Sequence, residues 1–143
     1  MRTGLIGLAA AVALFAAGAA SAATLHFATT LRGADETPPN TTTGTGHVSA
    51  TLDTATKTLS YKVTYSGLTG PATMAHFHGP AGPGEKAPPV VAVPTSALAN
   101  PMVGSAPLDD GQIADLEAGK WYFNIHTAAN PGGEIRGQLP ATK

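Results

Sequence analysis

What most limits the folds open to this chain is a period-two alternation that recurs along its length. Thr58 to Ser66 is the clearest instance: Leu59, Tyr61, Val63 and Tyr65 alternate with Ser60, Lys62, Thr64 and Ser66. Successive strand side chains point to opposite faces, so such a segment reads as a strand with one buried and one wet face. Thr24 to Leu31 obeys the same rule, with Leu25, Phe27, Thr29 and Leu31 inward. Gly46 to Asp53 does so with Val48, Ala50 and Leu52 inward. Asp53 to Lys57 joins the second and third of these as a short turn whose Asp and Thr side chains bond local backbone.

Further strands are expected at Thr73 to Gly79, at Val90 to Val93 and near Gly104 to Leu108. Trp121 to Thr127 and Glu134 to Leu139 make a final hairpin around Ala128 to Gly133. The helical suggestion is Asp109 to Ala118, a single turn capped by Asp109 or Asp110 with Ile113 and Leu116 inward. Parallel strands would need crossover helices that the pattern lacks. The expectation is therefore all-β: an antiparallel, Greek-key-like sandwich or small barrel of seven to eight strands.

Residues 1–23 carry a different signal. Arg2 is a short basic start, Leu5 to Ala20 is apolar, and Ala20-Ser21-Ala22 offers small residues for cleavage. This is the pattern of a secretory signal peptide, which leaves residues 24–143 as one domain in a secreted or periplasmic setting. No later run is apolar enough to span a membrane. Without Arg2, seven Lys and Arg face nine Asp and Glu, a net charge of −2 with no basic patch, so nucleic acid is not an expected partner. There is no cysteine, which removes disulfides, thiol catalysis and thiolate metal ligands.

Chemistry concentrates on histidine. In Ala75-His76-Phe77-His78-Gly79, His76 and His78 share one strand face while Ala75 and Phe77 take the other. In the last hairpin Trp121, Phe123 and Ile125 are the apolar set, so Tyr122, Asn124 and His126 share the opposite face. Ile135 and Leu139 face the core on the partner strand, which sends Glu134, Arg136 and Gln138 to the polar side. With Asn130 near the loop centre, Glu134 lies opposite His126 and Arg136 opposite Asn124. A one-residue slip would set apolar faces against polar ones.

Three imidazoles from His76, His78 and His126 would suit copper or zinc, with a fourth position open and Glu134 orienting His126. The competing reading is a wet face: His76 and His78 as solvated neighbours, and His126 with Glu134 as an ordinary cross-strand pair worth roughly 0.2–1 kcal/mol. The choice turns on whether the two histidine strands are neighbours. His26 and His47 read as solvent-facing. Asp35 and Glu36 are too few carboxylates for calcium and read as a loop stiffened by Pro38-Pro39. No G-x-S-x-G elbow and no phosphate-binding Gly-rich loop is present.

The motifs taken together resemble a known family, the CHRD domain first described in chordin. The likeness rests on Leu31 to Pro39, Leu59 to Leu68, Ala75-His76-Phe77-His78-Gly79-Pro80-Ala81, Tyr122 to Thr127 and Asn130 to Leu139. Asp35 stands where the family commonly has Asn. The resemblance implies an all-β, sandwich-like, exported domain and brings no agreed catalytic residues. Chordin's partners do not transfer, because its cysteine-rich modules are missing here. The His-x-His strand is also similar to that of copper–zinc superoxide dismutase, but the further zinc-loop ligands and the disulfide cysteines of that family are not evident. The leading expectation is thus an exported binding or structural module with a copper or zinc site. The alternatives are a secreted metal-dependent redox enzyme and an adhesion module meeting an extracellular or envelope protein through its sheet faces or the loops containing Pro38-Pro39 and Pro80 to Pro89.

Overall fold

The computed structural model describes residues 12–14, 18 and 21–143. The expected signal segment, residues 1–23, lies largely outside the described residues. Among the described residues no helix is long and apolar enough to cross a membrane.

Eight strands form one antiparallel sheet: β1 Thr24–Arg32, β2 Thr45–Asp53, β3 Thr58–Ser66, β4 Ala72–His78, β5 Pro89–Ala92, β6 Met102–Pro107, β7 Tyr122–Thr127 and β8 Ile135–Gln138. Their order is β5-β4-β7-β8-β1-β2-β3-β6. The all-β antiparallel expectation is met, and the alternating residues of β1, β2 and β3 fall as read: Phe27, Leu31, Val48, Leu52, Leu59 and Val63 are buried.

The sheet curls on itself. β3 and β4 stand five places apart in the order, about 24 Å in a flat sheet. Yet the rings of Tyr61 on β3 and Phe77 on β4 pack edge to face with centroids 5.3 Å apart. Phe77 also meets Phe123 at 4.7 Å and Trp121 at 6.0 Å. One apolar cluster therefore fills the space between two halves of a single sheet, giving a nearly closed barrel.

A helix α1 spans Asp110–Glu117, two turns where the sequence suggested one. The reason is a reciprocal cap: Gln112 N–H donates to Asp109 Oδ1 at 2.8 Å, and Asp109 N–H donates to Gln112 Oε1 at 3.0 Å. Leu116, buried, ties α1 to the core.

β7 departs from simple alternation, because all six of its residues are buried. Its apolar face meets the core. Its polar face is roofed by two loops, residues 33–44 and 79–88, which β8 holds down. Arg136 donates from Nη1 to Glu85 O at 2.7 Å and Thr37 Oγ1 at 3.2 Å, and from Nη2 to Gly82 O at 3.2 Å. Gln138 Nε2 donates to Ala81 O at 2.8 Å, and Asn40 Nδ2 donates to Glu134 O at 2.9 Å.

Candidate functional site

β4 and β7 are neighbours, paired antiparallel with His76 opposite Asn124, His78 opposite Tyr122 and Met74 opposite His126. The three histidines therefore share one patch of sheet. One ring nitrogen from each lies within 4.8 Å of the other two. His76 Nδ1 and His126 Nε2 are 3.4 Å apart. That matches the roughly 3.3 Å edge of a tetrahedron with ligands at about 2.0–2.1 Å from a metal. His78 and His126 are each 7% exposed, while His76 is half-buried at the mouth.

Two backbone carbonyls set the tautomers. His78 Nδ1 lies 2.8 Å from Ala87 O, and His126 Nδ1 lies 2.8 Å from Pro131 O. A carbonyl only accepts, so each Nδ1 carries a proton and directs Nε2 away from the loops. His126 Nε2 faces His76, whereas His78 Nε2 lies 2.8 Å from Asn124 Oδ1, an amide that a metal would have to displace. Burial favours the neutral form of His76 and His78. Desolvation, then the neighbouring imidazoles of His126 and His78, push His76 down from 6.5 to about 4. Desolvation is also the main cause that lowers His78.

The flanking residues fix the ring planes. Tyr122 stacks on His78, centroids 4.6 Å apart and planes 3° from parallel. Arg136 lies over the other face of this layer, its guanidinium carbon 3.5 Å from the Tyr122 ring centre. Register pairs Asn124 with Arg136 and Ile125 with Ile135, as the hairpin argument expected.

Glu134 requires a correction. The same register carries it opposite His126, but its carboxylate does not orient that ring. Thr69 N–H donates to both Glu134 oxygens at 3.1 and 3.2 Å, and Asn130 Nδ2 donates at 3.1 Å. Glu134 pins the β3–β4 connection to the last hairpin, and the orienting acceptor for His126 is Pro131 O from the hairpin loop itself.

Glu36 is the residue that sequence reasoning missed. Asp35 stays at the surface beside Arg32, whereas Glu36 turns inward and is 5% exposed. Asn124 Nδ2 lies 3.4 Å from Glu36 Oε1, and the other end of that amide lies 2.8 Å from His78 Nε2. Burial is the main force that raises Glu36 from 4.5 to about 7, against the opposing pull of Asn124 and Arg136. The amide thus links two groups that share a proton between two states: a charged His78 with ionised Glu36, or a neutral His78 with protonated Glu36 and the amide turned over. Desolvation favours the neutral pair at both ends. Only the acidic side chain beside two prolines signalled Glu36, and it reads equally well as a wet loop.

The family model for the CHRD domain matches residues 27–139. Among curated proteins and among solved structures, none matches the chain significantly.

Proposed function

The chain belongs to the CHRD domain family, and from that premise we propose that it is an exported single-domain module that binds copper or zinc through His76, His78 and His126. The observation that carries this reading is the pair of carbonyls, Ala87 O and Pro131 O, that take the Nδ1 protons of the two buried rings. Backbone acceptors of this kind are what hold metal-binding histidines in register. His76 and His78, which burial favours in the neutral form, need lose no proton before binding. Three nitrogen donors leave a fourth position open. Export rests on the pattern of residues 1–23.

Titration of metal-stripped protein with copper(II) and zinc(II) against a competing chelator tests the reading. Specific one-to-one binding is expected, weakened by about tenfold or more in His76→Ala. Affinity no better than nonspecific background, or an unchanged affinity in His76→Ala, would refute it.

A second reading, contact with an extracellular or envelope protein, draws support from a polar cleft of about 640 Å³ between the two roofing loops, bordered by Arg32, Glu36, Pro83 and Arg136. Replacing residues 82–86 with all histidines intact would abolish such capture and leave metal binding in place.

A further inference from the structure

We infer that Met74 supplies a thioether ligand to the histidine patch and makes it selective for copper(I) over zinc(II). The inference rests on the three-histidine reading and adds the identity of the metal. Three observations converge on Met74. It is the direct cross-strand partner of His126. It precedes His76 by two residues on the same strand, and Ala75 between them is fully buried in the core, so Met74 and His76 share the polar face. It is 44% exposed, an unusual setting for a large apolar side chain in a domain that buries nearly all its others.

Directly opposed residues hold their Cβ atoms about 4.5–5.5 Å apart. A methionine has three rotatable bonds, so its sulfur can swing over the close His76–His126 nitrogen pair. The remaining exposed faces of the sheet offer no such juxtaposition: Val103, the other large apolar side chain exposed in the strands, lies on β6 with no histidine opposite it.

The chemistry favours one metal. Thioether sulfur is soft and neutral, and it selects copper(I). Zinc is well served by three imidazoles and a water, and gains little from a thioether. The half-exposed side chain closes the open fourth position without ordering any new segment of chain.

Met74→Leu is the test, because it keeps volume and apolarity and removes only the sulfur. Copper(I) affinity under reducing conditions and zinc(II) affinity are both measured by chelator competition, on wild type, Met74→Leu and His76→Ala. Copper K-edge X-ray absorption is recorded for the first two. Copper(I) binding should weaken by about tenfold or more in Met74→Leu, zinc binding should stay within about twofold, and a sulfur shell near 2.3 Å should vanish from the absorption spectrum. Wild-type copper(I) binding that is unchanged in Met74→Leu, or a spectrum with no sulfur shell, overturns the Met74 assignment and leaves the histidine site standing. Wild-type protein that holds neither metal overturns both.

Discussion

Glu36 and the histidines pull the stability of the metal-free protein in opposite directions as pH changes. His76 and His78 titrate below 6.5 in the fold, His76 at about 4. The unfolded chain therefore binds more protons on them as pH falls below 6.5. Their contribution is present above that value and is lost as pH drops toward 4. Glu36 is the reverse case: its folded value of about 7 exceeds its ordinary 4.5, so its contribution is present below 4.5 and is lost as pH rises through 7. Glu36→Gln removes one of the two slopes. Between about pH 4.5 and 7 the unfolding free energy of the variant should climb with pH more steeply than that of wild type, measured by urea denaturation at each pH. Identical slopes would mean that Glu36 keeps its ordinary value in the fold. None of this is visible in Asp35-Glu36-Thr37, where both acids look alike; only the roof over β7 separates them.

At the scale of elements, β8 works as a clasp. Its apolar residues Ile135 and, just beyond the strand, Leu139 enter the core as alternation requires. Its polar residues hold two loops that would otherwise be free to lift from the sheet. Arg136→Met keeps much of the bulk and removes every donor, leaving Gly82 O and Glu85 O without that partner. The cost should be roughly 2–4 kcal/mol in unfolding free energy. Limited proteolysis should then cut within residues 33–44 or 79–88 before the strands. A variant that loses stability while both loops stay protected would assign Arg136 to packing on Tyr122 instead. The hairpin register behind this clasp was legible in advance, since a one-residue slip would have turned Ile135 outward. The grip on the loops was not, because carbonyl acceptors 51 and 54 residues away carry no side-chain signature.

At the scale of the molecule, the seam between β8 and β1 joins the two halves of the sheet. The ladder there consists of the single pair Arg32 and Arg136. Gly137 sits at this crossing, and a Cβ on it would run into the backbone oxygen of Thr30 and into Leu31 and Thr29. Gly137→Ala should destabilise the protein by about 1–3 kcal/mol in chemical denaturation. Gly132→Ala, where a Cβ meets nothing within 4 Å, serves as the matched control. Equal stability of the two variants would show that the seam yields.

Strand identity, the inward and outward sets, and the pairing of the last hairpin were all readable from residue order, because a period of two and a tight turn are local properties of the chain. The adjacency of β4 and β7, which brings His76 to a histidine 50 residues away, was not. Neither were the burial of Glu36 nor the carbonyls that fix the imidazole protons. Those depend on how a twisted sheet closes and which loops cover it, and such contacts form between segments whose separation along the chain leaves no periodic trace.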